Sequence, residues 1–120
     1  MGDIEASTRH SFSTRAIHAG QHPDPTTGAV VTPISLSTTF AQEGLARHKG
    51  FEYSRSGNPT RSALEAQVAS LEEAEHGLAF ASGLSAEDNI LRLLRPGQRT
   101  LLGNDAYGGT FRLIAKVWSP

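Results

Sequence analysis

The dipeptide Asn58-Pro59 divides this sequence into two stretches that cannot fold by the same means. Before it, Pro23, Pro25 and Pro33 interrupt a run rich in Ser and Thr. The only sizeable apolar stretch there, Val30-Val31-Thr32-Pro33-Ile34, is broken by its own proline. Ordering a residue's backbone costs roughly 1–2 kcal/mol, and a stretch with so few bulky apolar side chains cannot offset that by burial. Composition leaves residues 1–58 as either an extended arm lying on another surface or a disordered tail.

After Asn58 the pattern is periodic. Asn58 suits the N-cap of a helix and Pro59 its first turn. Leu64, Val68 and Leu71 recur at i, i+4 and i+7. They predict an amphipathic helix of about 16 residues that closes near His76-Gly77. Residues 78–81 read as a short buried strand. Ser82-Gly83 opens a second helix with Leu84, Leu91 and Leu94 on one face, ending at Arg95-Pro96-Gly97. Residues 99–102 read as a second strand, and a third helix starts near Thr110, grouping Phe111, Ile114 and Trp118. This alternation predicts an α/β domain with a parallel sheet and a right-handed crossover. Parallel strands end on one sheet edge, so Gly83 and Tyr107 are expected as neighbours where open α/β sheets take ligands.

Several function classes fall away on charge and composition. The 120 residues carry a net charge of −1, which opposes nucleic-acid binding and a polybasic membrane anchor. No apolar run approaches the roughly 20 residues needed to span a bilayer. Without cysteine, a disulfide framework, Cys-ligated zinc and a thiol nucleophile are excluded. Met1 to Ala6 lacks the pattern of a signal peptide, so a cytoplasmic protein is expected. His18 and His22 are separated by Gly20 and followed by Pro23, which opposes a shared helix face, and no metal site is expected.

Three constellations offer chemistry. Ser82-Gly83-Leu84-Ser85 leaves a strand and opens a helix. Its free N–H groups and the helix dipole suit a phosphate, with Ser82 and Ser85 as further donors, or it is an ordinary capped turn. No dinucleotide fingerprint or Walker A loop is present, and a nucleophile elbow fails where Glu87 stands. In Tyr53-Ser54-Arg55, an extended backbone would point the phenol and guanidinium the same way, as a phosphate clamp or as a solvated pair. Tyr107-Gly108-Gly109-Thr110 places an aromatic where it stacks on a heterocycle, or else forms a glycine-permitted turn.

The segment FEYSRSGNPTR (51–61), with TRAIHAGQ (14–21), VTPISLSTTF (31–40), LAFASGLSA (78–86) and NDAYGGTFR (104–112), resembles the Cys/Met-metabolism family of pyridoxal-phosphate enzymes. The resemblance runs from about Ser13 to the last residue. It implies pyridoxal 5'-phosphate as cofactor and a PLP-dependent transferase fold (fold type I), of which this chain holds the arm and the start of the parallel-sheet domain. Tyr53 and Arg55 would contact the cofactor phosphate of a neighbouring subunit. Gly83 and Leu84 would hold the phosphate of their own subunit, Tyr107 would stack on the pyridine ring, and Arg112 would lie toward the substrate end. Residues 1–58 become an intersubunit arm in a homotetramer of catalytic dimers, and 59–120 the first part of the cofactor domain.

The implied reaction is trans-sulfuration on cystathionine or an activated homoserine, of γ-lyase or γ-synthase type, with a small amino-acid substrate and neither nucleic acid nor membrane as partner. That chemistry needs a lysine for the internal aldimine. Lys49 and Lys116 are the chain's lysines, and neither has the family's Ser/Thr-rich context. No catalytic residue is therefore assigned within the 120 residues. The lysine is expected downstream, and the chain is expected to be the first third of a longer enzyme, inactive alone. The competing expectation is a non-catalytic module that keeps the phosphate cradle and the oligomer arm.

Overall fold

The computed structural model describes residues 10–119. The readings of Met1 to Ala6, and of the arm before His10, lie outside these residues. The chain forms two compact units, Met1–Ala79 and Phe80–Pro120. Packing divides the chain after Ala79.

In the first unit, α1 (Phe12–His18) lies within the stretch expected to be extended. Ser11 caps it, its hydroxyl accepting from the Thr14 amide. Composition concealed this helix because its stability comes from packing on α2 (Pro59–Leu71) rather than from its own apolar content. Gly20, at φ +73°, lets the chain leave α1 hard against α2: a Cβ there would strike the Ala63 carbonyl and crowd Ala66.

The α2 helix begins as its sequence predicts. Asn58 Oδ1 accepts from the amides of Thr60 and Arg61 at 2.9 and 3.2 Å. The helix stops at Leu71, well short of His76-Gly77. Its end is a Schellman motif, with Ala74 N–H donating to Ala69 O and Glu73 N–H to Ser70 O. The left-handed position is taken by Glu73 (φ +55°) instead of a glycine, which costs roughly 1–2 kcal/mol. Buried Arg15 of α1 offsets this. Its guanidinium donates to Ser70 O and, at 3.3 Å, to Glu73 Oε1. Hydrogen bonds from a charged donor contribute about 1.5–3 kcal/mol each when shielded.

The predicted apolar face of α2 is not its buried face. Ala69 is buried, while Leu64 and Val68 remain half exposed. The remainder of the arm is shaped by polar turns. Asp24 Oδ1 accepts from the amides of Thr26 and Thr27 and from the Thr27 hydroxyl. Residues 38–54 double back as a ribbon with isolated antiparallel bridges at Thr39–Tyr53 and Gln42–His48. Phe40 and Phe51 meet across it with ring centroids 5.6 Å apart.

The second unit holds α3 (Gly83–Leu91), α4 (Gly108–Leu113) and a π-helical turn, Ile114–Trp118. Leu91 is its buried apolar anchor, with Thr110 also buried. The expected strands at 78–81 and 99–102 do not form, and the described residues contain no parallel sheet. A strand is stabilised by its partner's hydrogen bonds, and no ladder reaches these segments. Leu101 is fully exposed and Leu78 is 75% exposed. None of the described helices is long and apolar enough to cross a membrane.

Among the described residues the buried hydrophobic side chains are Ala69 and Leu91. A core this small cannot support two-state unfolding. The 120-residue chain alone is therefore expected to bind a hydrophobic dye and to melt gradually in calorimetry. A sharp transition carrying about 0.7 kcal/mol per residue would contradict that.

Candidate functional site

Tyr53 and Arg55 meet in the first unit, but not by the predicted route. Tyr53 ends the ribbon and the chain then turns, with the amides of Ser56 and Gly57 both donating to Tyr53 O. The turn folds Arg55 back over the phenol. Its Nη2 donates to the Tyr53 hydroxyl at 3.0 Å, and its guanidinium carbon lies 5.2 Å from the ring centroid. Both side chains are exposed. With one N–H committed to the phenol, the planar guanidinium keeps further donors for an anion.

A second arginine supports this turn and was not singled out in the sequence. Arg61, on the first turn of α2, donates from Nη1 to Ser54 O at 3.3 Å and from Nη2 to Arg55 O at 3.5 Å. Its Nε pairs with Glu65 at 3.6 Å. The signal was its i+6 spacing from Arg55, which becomes a contact only once the turn is known. Thr60 ties the arm to the same helix start, donating to Pro33 O and accepting from the Ser35 amide, both at 2.8 Å. Asn58 Nδ2 adds a bond to Ser35 O.

In the second unit, Ser82 caps α3 as expected, its hydroxyl accepting from the Ser85 amide at 3.2 Å. Ser85 N–H is thus committed, while Gly83 and Leu84 occupy the first helical positions, whose amides have no intrahelical acceptor. The space beside Gly83 Cα is open to 4 Å. Two amides without intrahelical acceptors on exposed residues at a helix start suit an oxyanion.

Tyr107 precedes α4 and is 72% exposed. Its ring lies so close over Gly109 that a Cβ there would collide with it. The Cδ1, Cε1 and Cζ side of the ring therefore lies against Gly109. Arg112 is exposed on α4. Thr110 Oγ1 donates to Glu87 Oε2 at 2.7 Å, joining α4 to α3. This bond, rather than a shared sheet edge, connects the elements bearing Gly83 and Tyr107. Lys49 pairs with Glu43 at 3.4 Å on an exposed loop, and Lys116 is exposed on the π-helical turn. Both lysines lie on exposed surface.

Asp88 closes the far side of the second unit. Its Oδ2 accepts from Arg92 Nε and Nη2 at 3.0 and 2.8 Å, and its Oδ1 from the Trp118 indole at 3.0 Å. The Arg92 guanidinium also lies 5.7 Å from the indole ring. The Arg92 hydrogen bonds, and then that from Trp118, hold the Asp88 carboxyl below its ordinary pKa.

Each unit by itself presents groups able to meet an anion: the Arg55 guanidinium in the first and the first amides of α3 in the second. Residues 13–120 match the sequence model for the Cys/Met metabolism PLP-dependent enzyme family. The chain is 58% identical over 109 residues to the cystathionine gamma-synthase of Mycobacterium tuberculosis, with 89% of this chain and 28% of that protein covered. It is 55% identical to the cystathionine gamma-lyase of Homo sapiens, covering 90% of this chain and 27% of that protein. The crystal structure of metB from Corynebacterium glutamicum superposes with a TM-score of 0.86 at 53% identity, covering 93% of this chain and 30% of that one. The chain spans about a third or less of the length of the curated relatives it matches.

Because the folded pKa of Asp88 is depressed, its contribution is complete above the ordinary aspartate pKa and is lost as pH falls through the lowered value. Trp118 is the sole tryptophan, so its emission reports the contact. The emission should change in acid with a midpoint below that of an ordinary aspartate, and Asp88→Asn should abolish that transition. A transition unaltered in Asp88→Asn would assign it to another group.

Proposed function

Since the chain belongs to the Cys/Met metabolism PLP-dependent enzyme family, we propose that it is the N-terminal part of a trans-sulfuration enzyme acting on cystathionine or an activated homoserine. The observation that carries this reading is the extent of the family match. It covers residues 13–120 and so includes Tyr53, Arg55, Gly83, Leu84, Tyr107 and Arg112. Relatives with synthase and lyase names match at similar identity, so the reading takes in both γ-synthase and γ-lyase chemistry. Their enzyme names do not favour a non-catalytic module.

Pyridoxal phosphate, the cofactor of this family, supplies an electron sink for carbanion formation on the substrate. The chain's own residues bind and orient. The amides of Gly83 and Leu84 would hold the phosphate, and exposed Tyr107 would cover one face of the ring. The Tyr53–Arg55 pair, held by Arg61, would grip the phosphate of a neighbouring subunit's cofactor. Arg112 would lie toward the substrate. The arm at residues 1–58 would make intersubunit contacts in a tetramer of catalytic dimers, and the segments at 78–81 and 99–102 would enter a fold type I parallel sheet. The lysine that bonds the cofactor would lie beyond these 120 residues, in a cytoplasmic enzyme.

Two measurements on the complete enzyme test this. Assay with O-succinylhomoserine plus cysteine, against cystathionine alone, should show turnover in at least one direction. No turnover with either would overturn the substrate class. Arg55→Ala removes a charge-assisted bond and should weaken pyridoxal-phosphate retention about tenfold or more. Retention equal to that of the parent enzyme would remove Arg55 from the phosphate site.

A further inference from the structure

We propose that Glu87 is a positioning residue for the cofactor ring, acting through Thr110 to set the orientation of Tyr107. The proposal rests on the reading of Tyr107 as the residue that covers that ring. Three observations within the second unit form a continuous path. Glu87 lies one turn into α3, the helix whose first amides, those of Gly83 and Leu84, have no intrahelical acceptor. Its carboxylate accepts the Thr110 hydroxyl proton at 2.7 Å, between residues 23 apart in sequence. Thr110 is buried and directly follows Gly109, on whose Cα the Tyr107 ring rests without room for a Cβ.

Tyr107 itself is 72% exposed. Packing therefore restrains the ring little, and its contact with Gly109 is what gives it direction. That contact lies at the start of α4, where Tyr107 makes no side-chain cap. The Glu87–Thr110 bond provides a side-chain hydrogen bond from α3 to this turn, so it references the aromatic platform to the helix that presents the phosphate amides. A cofactor held by its phosphate at one element and by its ring at the other requires a fixed relation between the two. A short O–H···O⁻ bond between partly buried groups supplies it. The sequence pattern gave no hint of this role, since Glu87 figured there only as the residue that breaks a nucleophile elbow.

The test uses the complete enzyme loaded with pyridoxal phosphate. Visible circular dichroism per bound cofactor reports the asymmetry around the ring, and equilibrium binding of pyridoxal phosphate to the apoenzyme reports affinity. Loss of global stability does not move the dichroism per bound cofactor, and the affinity is compared at equal folded fraction of apoenzyme. Thr110→Val, which keeps the shape and removes the donor, and Glu87→Ala should each reduce the dichroic band markedly and weaken affinity about threefold to tenfold. Their double variant should be no worse than either single change, because one bond is lost in all three. Thr110→Ser and Glu87→Gln keep donor and acceptor and should stay within about twofold of the parent, the latter also removing the charge. Bands and affinities unchanged in Thr110→Val and Glu87→Ala, or losses that add in the double variant, would overturn the tether. Tyr107→Ala separates this failure from that of the underlying reading. If Tyr107→Ala alters the band while the tether variants do not, only the tether falls. If it too is silent, Tyr107 is not at the ring and both fall.

Discussion

The guanidinium of Arg15 does in the first unit what a hydrophobic core does in most domains. It reaches from α1 to the last turn of α2, adds a second donor to the Ser70 carbonyl already engaged in the helix-ending motif, and pairs with Glu73. Glu73 is also the residue forced into a left-handed conformation to end the helix. Without the arginine the unit would retain an unfavourable cap and a weakly held α1. A polar side chain carries this junction because the facing surfaces are built of small residues: Gly20 meets Ala63 and Ala66, and Ala69 is the buried apolar residue. Small residues permit close approach but bury little area, so direction comes from hydrogen bonds.

The same economy governs the rest of the chain. Ile34, Leu36, Leu78 and Leu101 each expose three quarters or more of their surface. Isolated exposed apolar residues are ordinary, and each of these lies on a segment outside any strand ladder. Membership of a family whose curated relatives are about three times longer gives a physical context for these segments. A doubly covered parallel sheet is cooperative, and its strands exist only when their neighbours do.

Local chemistry was legible in the sequence and non-local pairing was not. The Asn58 and Ser82 caps stand where residue type predicts them, because a cap bond spans two or three residues. The end of α2 was misplaced at Gly77 because Glu73 adopts a glycine-like conformation only with help from Arg15, 58 residues away. The arm concealed α1, whose stability lies on α2. The strands at 78–81 and 99–102 were read from apolar runs that describe what a strand would bury, not whether a partner is present to bond it. Tyr53 and Arg55 do meet, through a turn instead of an extended segment. Arg61 and Glu87 were overlooked because their partners are set by tertiary geometry.

This division explains why the candidate binding turns form among the described residues while the sheet does not. The Tyr53–Arg55 pair is closed by bonds within four residues, the Ser82 cap within three, and the Tyr107 ring rests on a residue two positions away. Each is determined by its own turn and owes little to a completed core. A turn fixes the direction of a side chain but not its relation to another turn. Binding one rigid molecule at two points demands that second quantity as well. Within the second unit, Glu87 to Thr110 is a bond between residues far apart in sequence that supplies it. Under the proposed function, the information for meeting an anion would be local in this chain, whereas that for holding a ring at a defined angle to it would depend on a long-range contact.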